Sequence, residues 1–411
     1  MGPLADRTYR RLFTAQVIAL LGTGLTTIAL GLLAYDLAGG GAGAVLGIVL
    51  AAKMTANVVV APIASAVVDR LPRRAVLVGL DLVRCGVVLV LPFVGAVWQV
   101  VVLVVVLQVA SASFTPAFQA VIPLVVKGER DYTRALSLSR LAYDLESIVS
   151  PVLAAALLTV ISFSGLFVGT AVGFLVSAGL VLSCVLPGVG GARESFGERT
   201  VKGVRAYLRT PRLRAQLGLN LAAASGGAMV LVNTVVLVRD DLGGGDLAVA
   251  IALGAFGTGS MAAALALPKL LDRLDDRVVM TRSAGALVVL LVAGAVLFSA
   301  TDGSSRWVVL LGLWAALGVA YSAVLTPVGR LIRASAAPCD LPALFAAQYA
   351  LSHAEWLVLY LLAGFLGTAL HPAAALACLA AVALAGLVYA RRAWTAESEV
   401  EPVEERVGVS L

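Results

Sequence analysis

Along this chain, long apolar runs alternate with short segments that carry turn residues and charge. A helix that crosses a bilayer needs about 20 mostly apolar residues. Runs of that kind recur at 12–36, 42–67, 75–96, 98–122, 136–160, 163–187, 213–238, 247–271, 280–300, 307–329, 343–369 and 372–390. The pattern predicts an all-α membrane protein of about twelve spans, called spans 1 to 12 below. They consume nearly the whole length, so no separate soluble domain is expected. The first run follows Arg7, Arg10 and Arg11. It is too long for a signal-peptide core and lacks a cleavage site, so it reads as a retained first span.

Composition agrees with the pattern. The chain is 60% hydrophobic and 13% charged, against about 25% charged in soluble proteins. The net charge of +6 would suit nucleic acid, but the placement of the basic residues argues otherwise. Of 30 Lys and Arg, 25 fall at the N-terminus, after the even-numbered spans, or in the tail. The positive-inside rule then puts those loops and both termini in the cytoplasm, which requires an even number of spans. The lipid bilayer, not nucleic acid, is the expected partner. Cys85, Cys184, Cys339 and Cys378 are scattered and suggest neither a disulfide framework nor a metal motif. No phosphate-binding lysine loop or zinc-ligand spacing occurs, so neither cofactor nor metal is expected and the chain does not read as an enzyme.

The longest polar segment, 188–212, divides the chain into an N-terminal bundle (1–187), a cytoplasmic linker (188–212), a C-terminal bundle (213–391) and an acidic tail (392–411) that reads as solvated and disordered. The two bundles repeat in order. Asp69-Arg70-Leu71-Pro72-Arg73-Arg74 recurs as Asp272-Arg273-Leu274-Asp275-Asp276-Arg277, an offset of 203 residues. Ala15-Gln16 recurs as Ala215-Gln216, Thr115-Pro116 as Thr326-Pro327, and Glu146 falls opposite Glu355 at an offset of 209. Six spans per half start both repeats on the same side of the membrane. They are therefore parallel repeats, with a substrate site expected near the midplane.

The segment Ser65-Ala66-Val67-Val68-Asp69-Arg70-Leu71-Pro72-Arg73-Arg74 resembles the Gly-x-x-x-Asp-Arg-x-Gly-Arg-Arg signature of the major facilitator superfamily, with both glycines replaced. Asp81 to Arg84 in span 3, and Phe114-Thr115-Pro116-Ala117 with Ile122-Pro123 in span 4, resemble its drug and siderophore exporters, the macrolide-efflux and enterobactin-exporter branch. The resemblance implies two six-helix pseudo-symmetric bundles and a transporter acting as a monomer in a bacterial cytoplasmic membrane. It also implies that Asp69, Arg70, Arg73 and Arg74, with Asp272, Arg273 and Arg277, act as latches biasing the outward-open and inward-open states. The span 4 arginine of many proton-coupled members is absent. Span 5 keeps its proline bend in altered form, with Glu146, Ser150, Pro151, Ala154 and Ala155.

Charge inside a span costs at least about 2.5–3.5 kcal/mol, so each such residue asks for a reason. Counting from Leu136 at about 1.5 Å per residue puts Glu146 roughly 15 Å deep. Arg140 and Asp144, at i and i+4, can pair. Glu146 shares a stripe with Ser150 and Ala154, expected to face span 8 and the cavity. Glu355 and His353 hold the equivalent places in span 11. Lys53 in span 2 is a candidate partner for Glu355, leaving Glu146 less obviously compensated, and a carboxyl group so placed can load and release protons. Proton coupling is thus sought at Glu146, Asp144, Glu355 and His353. The plainer alternative makes Asp144 and Glu146 satisfied structural residues and His353 a packing residue. Asp81 and Arg84 read as a structural pair. Gln16, Gln108, Asn220, Asn233, Trp314 and Tyr321 are candidate cavity residues.

The leading expectation is proton-coupled efflux of amphiphilic small molecules by alternating access. Import or metal-ion export on the same fold, or a transport-inactive sensor or scaffold, are the alternatives.

Overall fold

The computed structural model describes residues 2–38, 54–60, 63, 71–186, 196–238, 242–301, 303–337, 339–369 and 372–404. Apart from single turns of 3₁₀-helix and a helical stretch at 54–60, the regular elements there are α1 (Arg7–Ala38), α2 (Arg73–Val90), α3 (Val97–Val125), α4 (Glu129–Leu158), α5 (Phe163–Leu182), α6 (Phe196–Arg209), α7 (Pro211–Val236), α8 (Asp246–Leu271), α9 (Asp276–Ala300), α10 (Gly303–Leu325), α11 (Val328–Ala334), α12 (Leu341–Ala369) and α13 (Pro372–Glu404). Helix α1 is span 1, α2 to α5 are spans 3 to 6, α7 to α10 are spans 7 to 10, and α12 and α13 are spans 11 and 12. Span 2 falls mostly outside the described residues.

Ten candidate membrane spans occur among the described residues. Helix α4 is not one of them. At 30 residues it is long enough to cross, but it carries Arg140, Asp144 and Glu146 along its middle. It also starts earlier than the apolar pattern indicates. Glu129 and Asp131 lie in its first turn, where negative charge meets the positive end of the helix dipole. This polar stretch is thereby helical.

Three further elements differ from expectation. The linker contains α6, whose buried Gly203 and Tyr207 lie four residues apart on one face while Lys202, Arg205 and Arg209 are exposed. The tail continues the last span as helix to Glu404. Span 10 ends at Leu325, and α11 follows after Thr326-Pro327, because proline has no N–H to continue the helical ladder. The matching Thr115-Pro116 is accommodated inside α3 without a break.

The chain forms two compact units, Met1–Val204 with Ala336–His353, and Arg205–Ser335 with Ala354–Leu411. In the first, α1 packs along α4 and α5, and α2 along α3 and α5. In the second, α7 packs along α13, α9 along α10 and α13, and α8 along α10. Spans 1 with 6, 3 with 6 and 3 with 4 thus correspond to 7 with 12, 9 with 12 and 9 with 10, so the sequence repeat is also a repeat of packing.

The first unit has two apolar cores. One gathers Leu30, Leu33, Val88, Val104 and Phe167; the other gathers Tyr9, Leu12, Leu77, Phe118 and Val181. In the second unit, α8 and α10 approach through Gly259 and Gly318, where a Cβ on either would strike the backbone of the other helix. Small residues make such close crossings possible when lipid supplies no hydrophobic drive between helices. On the outer faces Val102, Val105, Val168, Val172, Val289 and Val296 are exposed, as a hydrocarbon solvent requires.

Candidate functional site

In the first unit the polar side chains gather where α1 meets α4. Gln16 of α1 is buried, and its Oε1 accepts a 3.2 Å hydrogen bond from Ser139 Oγ. Tyr143, one turn further along α4, also bonds Gln16 through its side chain. Arg140 and Asp144 form an ion pair at 2.8 Å with both side chains largely buried. Glu146 and Ser150 turn towards Gly24 of α1. A Cβ on Gly24 would overlap the Ser150 hydroxyl and lie 3.1 Å from Glu146 Oε1. The stripe expected to face span 8 therefore meets α1 at this point, and the missing side chain of Gly24 is what admits it.

Asp81 and Arg84 form a separate buried pair. Ser177 Oγ donates to Asp81 Oδ2 at 2.8 Å. The guanidinium lies 4.0 Å from the Phe114 ring centroid and 4.5 Å from that of Phe174. A cation stacked on two rings and paired with a hydrogen-bonded carboxylate is compensated at all but its buried Nε, which has no hydrogen-bond partner, and this fits a structural role. The first part of α12 belongs to this unit. There the Tyr349 hydroxyl donates to Asn57 Oδ1 at 3.2 Å, and its side chain also bonds Thr115. His353 stacks on Tyr349 at 4.1 Å between centroids, with Nδ1 2.7 Å from the Tyr349 carbonyl oxygen. Gln108 on α3 is half-buried.

In the second unit, Asn220 Nδ2 of α7 donates to Glu355 Oε2 of α12 at 2.6 Å. Glu355 forms no ion pair among the described residues. Lys53, its expected partner, lies outside them. Fully buried Tyr207 of α6 feels the charge of Glu355. Burial first, and then that charge, pushes its phenol well above the ordinary range. Gln216, one turn before Asn220, is fully buried with neither amide atom hydrogen-bonded. Asn233 Nδ2 donates to the Ala363 carbonyl at 3.2 Å. Trp314 is fully buried and donates through Nε1 to Thr234 Oγ1 at 2.7 Å, so it is held inside the bundle wall. Tyr321 lies in a chain of rings with Phe256 at 5.3 Å and Trp356 at 6.0 Å, and Trp356 continues it to Tyr360 at 5.0 Å.

The loop motifs are partly visible. Asp69 and Arg70 lie outside the described residues, whereas Arg73 and Arg74 open α2. In the second copy Asp272 closes α8, Arg273 follows it, and Arg277 sits 5.7 Å over the Trp394 ring. The ion pair found there is Asp276 with Arg330, at 3.1 Å. Sequence reasoning passed over both, as it did Tyr143, Tyr349, Trp356 and Gln216. A signal for Asp276 existed: it occupies the repeat position of Arg73 with the opposite charge. Among the described residues no three His, Cys, Asp or Glu side chains converge to hold a metal ion.

Residues 12–289 match the family model of the Major Facilitator Superfamily. The chain belongs to that superfamily. This transporter is 26% identical over 181 residues to macrolide efflux protein A of Enterococcus faecalis, an alignment covering 43% of this chain and 53% of that protein. The protein of the same name from Streptococcus pyogenes is 26% identical over 43% of this chain and 42% of its own length. This transporter thus spans about half the length of the curated relatives it matches. Among solved structures it resembles a bacterial homologue of the iron transporter ferroportin (TM-score 0.77, 15% identity, 96% of this chain and 100% of that one). It also resembles the human organic anion transporter MFSD10 (TM-score 0.75, 13% identity, 93% and 99%). At these identities the likeness is one of fold: two helical bundles spanning the membrane, here fitting a bacterial cytoplasmic membrane.

Proposed function

We propose that this chain is a proton-coupled exporter of amphiphilic small molecules, working by alternating access with both termini in the cytoplasm. Efflux is supported by the relatives named as macrolide efflux proteins, and proton coupling by the placement of carboxyl groups within the spans. The observation that carries the reading is Glu355, a mid-span carboxyl group whose hydrogen-bond donor is the neutral amide of Asn220. A carboxylate fixed by arginine is held in one charge state. One held by an amide can be present with or without its proton, because the amide nitrogen donates to either form. Glu146, set against Gly24, occupies the corresponding seam of the other repeat and is the second candidate. Asp144 is paired with Arg140, and His353 stacks on Tyr349, so both act on this reading as supports rather than carriers.

The cycle asked of these residues is short. A proton entering from outside neutralises a carboxyl group and removes the cost of about 2.5–3.5 kcal/mol that charge pays within a span. The protonated bundle can then change its exposure, and release of the proton to the cytoplasm resets it. The paired aspartate and arginine residues of the cytoplasmic loops bias which exposure is populated.

Everted vesicles containing the transporter and loaded with a pH-sensitive dye test this directly. Adding an exported macrolide should collapse part of an imposed proton gradient. Glu146→Gln should abolish uphill export while leaving downhill equilibration, and Glu355→Gln should abolish uphill export. Substrate-independent proton traces, with unchanged drug tolerance in a deletion strain, would overturn the reading.

A further inference from the structure

The second unit also brings aromatic rings and one carboxyl group onto a single face, and the arrangement specifies a type of ligand. On α7, Gln216, Asn220 and Gly227 are separated by 4 and 7 residues, which sets them on one stripe of the helix. Asn220 holds Glu355. Gly227 receives the indole of Trp356, which a Cβ at that position would displace. The stripe thus positions two consecutive residues of α12, the carboxyl group and the largest ring. Trp356 meets the Tyr321 ring edge-on, and Tyr360, one turn along α12, lies against the indole. Phe256 and Tyr321 are buried, whereas Glu355, Trp356 and Tyr360 are each partly accessible. Beneath the three accessible groups, then, lies a buried aromatic floor.

The accessible side of this face is not lipid, because a carboxylate turned to hydrocarbon would carry the full cost of an intramembrane charge. Ring faces carry negative potential and attract cations within about 6 Å of the centroid. Beside them is a carboxyl group that forms no salt bridge among the described residues. A bare metal ion is a poor match, since among the described residues Glu355 belongs to no group of three His, Cys, Asp or Glu side chains that could hold one. An anion would face like charge. An organic cation with apolar substituents matches both halves of the face.

We propose that Glu355, Trp356, Tyr360, Tyr321 and Phe256 form a binding face for amphiphilic organic cations, with Glu355 as counter-ion and the rings as the apolar wall. This rests on the transport reading only in assuming that the face is reached by substrate. It adds the charge of the cargo and the residues that read it. The groups meeting Glu355 among the described residues are the Asn220 amide and, through its charge, the Tyr207 phenol, so cation and proton are alternatives at one carboxyl group.

Equilibrium binding of radiolabelled tetraphenylphosphonium to the purified, detergent-solubilised full chain tests the face without requiring transport. The wild type should bind the cation saturably and bind tetraphenylborate, its isosteric anion, at least tenfold more weakly. Glu355→Gln should lose most cation binding and leave weak binding of neutral triphenylphosphine oxide unchanged. Trp356→Leu should weaken the cation roughly tenfold, and Trp356→Phe should restore most of it. Equal affinity for cation and anion in the wild type would overturn the proposal even if no variant folds, and so would unchanged cation affinity in Glu355→Gln. Cation binding without substrate-driven proton movement would sink the proton-coupling reading and leave this face standing; proton-coupled export without it would do the reverse.

Discussion

Glu355 of α12 accepts a 2.6 Å hydrogen bond from Asn220 of α7, so the intramembrane carboxyl group of the second unit is positioned by a neutral side chain on a different helix. Removing that donor should be felt twice. Asn220→Ala leaves a partly buried acceptor without its donor, which costs about 1–3 kcal/mol, and frees the carboxyl group to leave its place beside Trp356. The variant should unfold several degrees earlier in detergent and export uphill at a small fraction of the wild-type rate. Combining it with Glu355→Leu should recover most of the lost stability without recovering export. Equal melting points for wild type and Asn220→Ala would show that the bond contributes nothing.

The seam between α1 and α4 offers a steric test. A methyl group at residue 24 would overlap Ser150 and crowd Glu146 Oε1. Overpacking of this kind costs about 1–3 kcal/mol, so Gly24→Ala should lower the melting temperature measurably. Because Ser150 supplies the nearest atoms, Gly24→Ala with Ser150→Gly should be more stable than the sum of the single effects. Strict additivity would mean that α1 and α4 do not meet there.

These two seams mark how far the sequence could be read. Glu146 and Glu355 stood out because charge is costly in an apolar run, and their equivalence followed from the repeat. Their neighbours did not, because Gly24, Asn220 and Gly227 become partners only through the rotation of one helix against another, which hydropathy does not encode. Trp356 and Tyr360 are unmarked for a related reason: an aromatic residue in a span reads the same whether it faces lipid, core or ligand. The break in span 10 was signalled by Thr326-Pro327, but the identical dipeptide leaves α3 continuous, so local chemistry permitted both outcomes and packing decided. Helix α6 was hidden by its charge, since only Gly203 and Tyr207 reveal its buried side.

The Asp81 and Arg84 pair should behave as architecture. Asp81→Ala leaves a buried guanidinium between Phe114 and Phe174 without its carboxylate, a change that typically costs about 3–5 kcal/mol. Asp81→Leu combined with Arg84→Met should be far milder, since replacing both charges by apolar groups of similar volume is often neutral. Vesicles holding equal amounts of folded double variant and wild type should export at similar rates. A double variant that folds but no longer moves protons would assign the pair to the coupling machinery instead.

The remaining test concerns the second copy of the loop motif, where the ion pair joins Asp276 at the start of α9 to Arg330 on α11. Both side chains are mostly buried at this contact, 14% and 18% exposed, so the pair is screened less than one at the surface. Arg330→Ala removes the cation and leaves Asp276 to its remaining contacts. If the pair biases the conformational equilibrium, the variant should change the fraction of molecules alkylated at a cysteine placed in the α10 wall, and should slow export severalfold with little loss of folded protein. Asp276→Arg with Arg330→Asp restores opposite charge in reversed order, and should return both readouts part of the way. Loss of stability in Arg330→Ala with alkylation unchanged would show that this pair anchors α11 and does not set the state. The bias would then rest on the other copy of the motif, at Asp69 and Arg70.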